Sequence, residues 1–316
     1  MKAVVVNEFG GPEVLSLEKR NKPRCKKDEI QVEVKAVGLN QLDRRMREGT
    51  AGDSFAAEPP FVPGWDFAGV VSNVGKDVSR FKKGQKVFGM RQPKDFKLGT
   101  YSEFITVRES QAAHKPVNLS FAAAASIPTP ALAAWQAVRE RSHAGGGMRV
   151  LVHGCTGGVG AFAVQFAHLA GAWVIGTTSD ANADAALDLG ADEVIDYQSQ
   201  EFDQVLAVRY PQGIDVVVDT IGGQVLARSL PLLKASGQAV TLADPGAAAM
   251  SEEGAHQPVY FRVESDGSQL ERVAALFDEN LLTTTIAATF SLEDVRLAHE
   301  MLDSQPGRGR IVLTLD

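Results

Sequence analysis

Two stretches of this 316-residue chain carry residue types whose spacing suits chemistry. The first is Gly154-Cys155-Thr156-Gly157-Gly158-Val159-Gly160, a G-x-x-G-x-x-G run that follows the apolar stretch Arg149-Val150-Leu151-Val152-His153 and opens an Ala-rich one. Glycines in that context let the chain turn tightly, let backbone amides approach a pyrophosphate and let the next helix pack closely on its strand. The first amides of that helix, at the positive end of its dipole, would then face the anion. A plain strand-to-helix turn can carry the same glycines. The strand before, the helix after and a second strand beyond favour a dinucleotide site.

The second stretch, Thr177-Thr178-Ser179-Asp180-Ala181-Asn182, closes that second strand and bears on which dinucleotide is held. An NAD site usually places an acid about 20 residues past the glycines, on the ribose hydroxyls. Hydroxyls at Thr178 and Ser179 can donate to a 2′-phosphate, which a carboxylate would repel. Asp180 is read as the N-cap of the following helix, ahead of its alternative as a ribose ligand.

Other catalytic devices fare poorly. Cys155 lies beside a helix N-terminus, where a thiol pKa can fall, but a small packing residue is the simpler reading. Cys25 and Cys155 are the two cysteines of the chain, too few for a disulfide framework or a four-cysteine zinc site. The six histidines show no ligand spacing; His114 and His153 are read as structural. There is no G-x-S-x-G elbow and no Walker lysine after the glycines. Direct hydride transfer, with the cofactor carrying the chemistry, is what remains.

The elements that must hold these residues are of two kinds. Ala3 to Val6 is a short apolar run, and Glu29 to Val37 alternates apolar and polar residues at period two. Phe67 to Val71, Gln85 to Phe88 and Phe104 to Val107 continue this rhythm between turns, as in a small barrel or sandwich. After Lys115-Pro116 come Ala-rich helix formers, Phe121 to Ser126 and Leu132 to Val138. From Arg149 onward, apolar strands (149–153, 173–177, 194–196, 214–218, 238–242) alternate with helices, notably Val159 to Ala170 and Ala181 to Leu189. That pattern implies a parallel sheet covered on both faces. Val259 to Val263, helices from Gln269 to Asn280 and Leu292 to Leu302, and a strand from Arg310 to Thr314 complete the chain.

Length points to two domains. Lys plus Arg number 32 against 39 Asp plus Glu, a formal charge of −7 that argues against nucleic acid as a main partner. The N-terminal apolar run is too short for a signal peptide or a membrane span. A cytoplasmic protein with a small-molecule substrate and no membrane partner is expected.

Ordered motifs along nearly the whole chain carry a resemblance. They are Gly38-Leu39-Asn40-Gln41-Leu42-Asp43, Pro63-Gly64-Trp65-Asp66-Phe67-Ala68-Gly69, Gly99-Thr100-Tyr101-Ser102-Glu103-Phe104, the glycine loop, Leu189-Gly190-Ala191-Asp192, Asp219-Thr220-Ile221-Gly222-Gly223 and Gly307-Arg308-Gly309-Arg310-Ile311-Val312-Leu313. Together they resemble the medium-chain dehydrogenase/reductase superfamily, and within it the zinc-free quinone oxidoreductases and alkenal/enone reductases. The resemblance implies an α/β fold: a GroES-like β-barrel catalytic domain built from residues 1–121 and 263–316, and a Rossmann doubly wound parallel-sheet domain from 122–262. The active site would lie in the cleft, and homodimers would join through the sheet edge, for which Val259 to Val263 is the candidate. An ordinary internal strand is the alternative for that segment.

The resemblance also implies an NADPH (NADP+) cofactor and a quinone or α,β-unsaturated carbonyl substrate. Asn40 would be catalytic, near nicotinamide and substrate; pinning a turn is its alternative role. Asp43 and Asp66 are read as structural. Cofactor contacts are expected from Asn40 and Thr129, and from Gly154, Thr156, Gly157, Gly158 and Val159 of the loop. Thr178, Ser179, Asn182 and Tyr197 would surround the adenosine phosphate, with Thr177 a further cofactor contact. Thr220, Leu242 and Phe261 would add further contacts, with Arg308 or Arg310 assisting from the C-terminal segment. Phe61 and Trp65 are candidates for the substrate wall, with core packing as the default, and the loop from Glu48 to Phe61 lines the pocket.

Three departures stand out. Gln41 and Leu42 interrupt the Asn-Pro-x-Asp pattern, Ala133 stands where relatives often have threonine, and Asn182-Ala183 replaces a phosphate-binding lysine, so a modest NADPH preference is expected. A zinc alcohol dehydrogenase would need Cys and His ligands, whereas the Gly-His-Glu segment reads Gly64-Trp65-Asp66 and no cysteine lies near Leu39. A non-catalytic NADPH-binding sensor, scaffold or crystallin-like protein is the remaining alternative.

Overall fold

Strand formers and helix formers separate along the chain much as their periodicities dictate. A computed structural model describes residues 1–52, 55, 57–92, 97–250, 256–304 and 307–315. Residues 53, 54 and 56 of the loop expected to line a pocket fall outside them. Contacts group the chain into two units, Met1–Thr129 with Glu264–Asp316, and Pro130–Val263.

In the first unit β1 (Lys2–Val6) pairs antiparallel with β2 (Leu15–Lys19). The organising strand is β3 (Glu29–Gly38), ten residues long. β4 (Asp66–Val74) runs antiparallel along one side of it. On the other side β6 (Phe104–Arg108) takes its first half and β15 (Arg310–Thr314) its end. β5 (Lys86–Met90) and β7 (Ala112–His114) extend the sheet beyond β4, and β14 (Ile286–Ser291) lies parallel to β15. Among the described residues these pairings form an open path. A helix not anticipated from the sequence, α1 (Gln41–Glu48), follows β3 directly. Its buried stripe is Asp43, Met46 and Arg47, so two of three inward residues are charged and the hydrophobic period is hidden. The short α2 (Phe121–Ala125) packs on β3 and β4. The approach is so close that a Cβ at Gly38 would stand 2.3 Å from the Ala125 carbonyl oxygen. This seat places α2 with the first unit, although its Ala-rich composition resembles that of the helix after it. The helix α3 (Pro128–Trp135) continues the chain into the second unit, and α8 (Gly267–Asp278) and α9 (Val295–Ser304) return to the first.

The second unit is a six-stranded parallel sheet: β8 (Arg149–His153), β9 (Trp173–Thr178), β10 (Glu193–Asp196), β11 (Ile214–Asp219), β12 (Leu233–Thr241) and β13 (Val259–Tyr260). Their order is β10-β9-β8-β11-β12-β13, the 3-2-1-4-5-6 arrangement of a doubly wound dinucleotide-binding sheet. Helices α4 (Gly158–Leu169), α5 (Ala183–Asp188), α6 (Phe202–Arg209) and α7 (Gly223–Ser229) connect the strands. Leu151, Ile175, Ile195, Val217, Leu206 and Leu226 bury together as its core. β13, expected as five residues, is two residues long and lies at the edge of the sheet.

Candidate functional site

The glycine loop turns where β8 ends. Gly154 has φ +64°, in the left-handed region that favours glycine. Gly157 is the N-cap of α4. A Cβ at Gly160 would lie 2.1 Å from the Gly154 carbonyl oxygen, and one at Gly154 2.8 Å from Thr220 Oγ1. The helix therefore seats directly on the turn, leaving its first amides at the loop, a cradle that fits a dinucleotide phosphate. Thr156 in the loop and Thr178 at the end of β9 share a hydroxyl–hydroxyl hydrogen bond of 2.8 Å.

A buried chain of donors fixes this turn from below. Ser229 Oγ donates to the Val225 carbonyl, so it accepts from His153 Nε2 at 2.8 Å. His153 Nδ1 is then an acceptor for Thr177 Oγ1 at 3.0 Å, and Thr177 in turn accepts the Gly154 N–H at 3.4 Å. Burial pushes the His153 imidazole down to about 4, keeping it neutral in this role. Thr177, expected beside the cofactor, has its hydroxyl engaged inside the unit. Thr220 is similarly spent, donating to the His153 carbonyl at 2.8 Å.

Around the end of β9, Asn182 Nδ2 donates to Ser179 Oγ at 3.0 Å, and the Tyr197 N–H donates to the Thr178 carbonyl, setting the exposed Tyr197 ring beside that strand end. Asp180 is not the helix cap: Ser179 precedes a one-turn 3-10 helix, Asp180–Asn182, of which Asp180 is the first residue. An acid there is favoured by the helix dipole without capping through its side chain. Leu242 donates its N–H to the Asp219 carbonyl, and Phe261 is buried with the Arg141 guanidinium 5.3 Å from its ring centre. Gly158 and Val159 begin α4. Cys155 is fully buried, and burial pushes its thiol up to about 12, so the reactive role weighed for it is not met.

In the first unit, Asn40 occupies the N-cap position of α1. Its backbone N–H donates to Asp43 Oδ2 at 2.7 Å. Asn40 Nδ2 donates to Asp66 Oδ2 at 3.1 Å, and Arg310 Nη2 donates to Asn40 Oδ1 at 2.8 Å and to Asp66 Oδ2 at 3.2 Å. Asp66 Oδ1 accepts from both the backbone N–H and the hydroxyl of Thr129, at 2.9 and 2.5 Å. Asp43 and Asp66 are fully buried, and burial pushes both carboxyls up, to about 7 and about 6. Arg310, offered by the sequence to the adenosine phosphate, is 13% exposed and bonded to Asp66 and Asn40 in this cluster. Arg308 is exposed in the turn before β15. Ala133 is buried one turn beyond Thr129 on α3.

The residues at zinc-ligand positions do not fit a metal. Leu39 and Trp65 are buried apolar side chains, and Asp66 is taken by Arg310, Asn40 and Thr129. Among the described residues, no group of three or more His, Cys, Asp or Glu side chains could hold a metal ion, and no helix is long and apolar enough to cross a membrane. Phe61 and Trp65 are core residues, at 1% and 2% exposure.

Residues 26–117 match the alcohol dehydrogenase GroES-like domain, and residues 189–313 match the family described as zinc-binding dehydrogenase. The chain is 31% identical to quinone oxidoreductase of Lama guanicoe, with 100% of this chain and 98% of that protein covered. It is 33% identical to 2-methylene-furan-3-one reductase of Solanum lycopersicum, covering 99% and 79%. The crystal structure of Escherichia coli quinone oxidoreductase complexed with NADPH superposes with a TM-score of 0.87, at 28% identity and full coverage of both chains. The chain belongs to the medium-chain dehydrogenase/reductase family, among its quinone oxidoreductase-like members. It is an oxidoreductase that takes a nicotinamide dinucleotide.

Proposed function

We propose that the protein is a zinc-independent, NADPH-dependent reductase of quinones or α,β-unsaturated carbonyls, cytoplasmic, and a homodimer paired through the β13 edge. The observation that carries the reading is the Asn40 carboxamide, held at one end by Asp66 and at the other by Arg310. It directly follows Leu39 and bonds to the residue after Trp65, the two positions where a zinc enzyme needs thiolate and imidazole.

When bound, the dihydronicotinamide supplies the hydride. The loop from Gly154 to Gly160 holds the pyrophosphate through α4's first amides, while Thr178, Ser179, Asn182 and Tyr197 offer donors and no carboxylate side chain to a 2′-phosphate. Thr129 spends its hydroxyl proton on Asp66, so toward a ligand it acts as an acceptor. Asn40 has a second Nδ2 hydrogen beyond the one given to Asp66, and this donor suits an acceptor's oxygen. Without a metal, an isolated carbonyl loses several kcal/mol of Lewis-acid stabilisation. A conjugated acceptor needs less help, because the incoming charge spreads onto its distant oxygen, where one amide donor stabilises it and solvent supplies the proton.

The test is NADPH oxidation followed by absorbance against a panel of quinones, enones, simple ketones and alcohols. Turnover of quinone or enone by zinc-free protein is the expected result. Stoichiometric zinc with activity lost on chelation, or efficient oxidation of ordinary alcohols by the metal-free protein, refutes the reading.

A further inference from the structure

We propose that Asp43 is a positioning residue that carries a proton through the neutral range, and that losing this proton releases Asn40 from the clamp formed by Asp66 and Arg310.

Two carboxyl groups and one guanidinium share this buried cluster. Asp66 accepts four hydrogen bonds, from Thr129 N, Thr129 Oγ1, Asn40 Nδ2 and Arg310 Nη2. That is a full set for the four lone-pair sites of a carboxylate. Asp43 Oδ2 accepts the Asn40 N–H, whereas Asp43 Oδ1 makes no well-formed hydrogen bond and has only the weaker approach of the Gly64 amide and the Tyr101 hydroxyl to the carboxyl. One cation neutralises one of the two acids, and the donor count assigns the charge to Asp66 and the proton to Asp43. Burial drives the Asp43 carboxyl upward; the Asn40 amide is the largest opposing effect, the neighbouring Asp66 charge adds to burial, and Arg310 and the Gly64 amide oppose it less.

The groups facing Asp43 from the elements around it do not supply a second positive charge. Asp66 faces it from β4, Arg310 from β15, and the fully buried Tyr101 from the segment before β6. Behind Tyr101, its hydroxyl meets His299 Nε2 of α9 at 3.2 Å, and Arg47 of α1 donates to His299 Nδ1 at 3.0 Å. That contact fixes His299 as a neutral Nε2–H tautomer, with burial and Arg47 pushing its pKa down to about 3. Arg47 itself is paired with Asp303 at 3.0 Å.

Arg310 links the proton to Asn40. Its Nη2 bridges Asn40 and Asp66, while its buried Nε has no partner. An ionised Asp43 would compete for this guanidinium through the idle Nε and draw it away from the Asn40 oxygen.

Thermal unfolding of the full-length protein and of Asp43→Asn, from about pH 5 to about pH 8.5, tests this. An acid whose folded pKa is raised contributes a penalty that grows as pH climbs from the unfolded carboxylate value to the folded one. The Tm advantage of Asp43→Asn over the parent should therefore widen with pH, and an infrared band of a buried protonated carboxyl present in the parent near neutral pH should be missing from the variant. A pH-independent Tm difference, or no such band, overturns the assignment. Should Asp43→Asn fail to fold, Asp66→Asn replaces it: with Arg310 freed for Asp43, the carboxyl band should vanish at a lower pH than in the parent, and an unmoved band overturns the proposal. The release of Asn40 rests on the function proposed above and is read separately. The alkaline limb of kcat/KM for a quinone should shift by about ten-fold in proton concentration or disappear in Asp43→Asn, and an unchanged limb overturns that part. Unfolding and infrared results hold even for a protein that reduces no quinone, so the two failures are distinguishable.

Discussion

Arg310 reaches across 270 residues of sequence to donate to the Asn40 side-chain oxygen at 2.8 Å. A planar guanidinium with several fixed donors can bridge this oxygen and the Asp66 carboxylate at once, which an ammonium cannot match in geometry. Arg310→Lys should lower kcat/KM for quinone or enone about 10- to 100-fold, with NADPH affinity changed by less than about three-fold. Steady-state kinetics and fluorescence titration check it. A selective loss of NADPH over NADH binding would instead return Arg310 to the adenosine phosphate.

Asn40→Ala removes the amide while leaving the glycine loop intact. Turnover should fall by about 10²-fold, the scale of losing one oxyanion donor, while the dissociation constant for NADPH stays nearly unchanged. Equal weakening of both would make Asn40 a fold residue.

Gly160→Ala puts a methyl 2.1 Å from a backbone oxygen, a clash that no side-chain rotation relieves. The expected stability loss is about 1–3 kcal/mol, read by denaturant unfolding, with at least about ten-fold weaker cofactor binding. Gly147→Ala is the control, since nothing lies within 4 Å of its Cβ position and the strain there comes from its φ of +79° alone.

Cofactor choice should lean to NADPH, modestly, because Thr178, Ser179 and Asn182 offer donors without a lysine. Titration of both nucleotides decides it. Equal or tighter NADH binding assigns Asp180 to the ribose.

His153 and His299 are buried and neutral, with pKa values of about 4 and about 3 against the usual 6.5. Above the usual value both folded and unfolded chains hold them neutral and they contribute nothing. As pH falls below it, the unfolded chain binds protons that the folded one refuses, so stability drops, by about 2 kcal/mol per histidine at about pH 5. Unfolding of His153→Gln at that pH should show a shallower loss than the parent.

The sequence made the glycine loop legible because each glycine answers a local steric demand: a left-handed turn at Gly154, a close seat at Gly160. The parallel strands were legible for a similar reason, since burial on both faces leaves continuous apolar runs such as Val150-Leu151-Val152. The Asn40 cluster was only half legible. Asn40 stood out by resemblance, but its partners Asp66 and Arg310 are distant in sequence, and no local pattern announces a contact between β4 and β15 side chains. α1 was hidden because its inward face carries Asp43 and Arg47. Asp180 was misplaced because the helix after β9 opens with a one-turn 3-10 segment, so that Ser179 precedes that turn and Asn182 caps α5, a division that cap preferences alone do not resolve.

The hydrogen bonds from Gly154 through Thr177, His153 and Ser229 to Val225 all point one way, each hydroxyl or imidazole accepting from one neighbour and donating to the next. Positions 153, 177 and 229 therefore act as a single hydrogen-bonded unit. A valine at 177 strands the imidazole's acceptor nitrogen, and an alanine at 229 strands its donor. Lineages that abandon one member of the trio should be found to have abandoned all three, trading the polar wire for an apolar plug of similar volume.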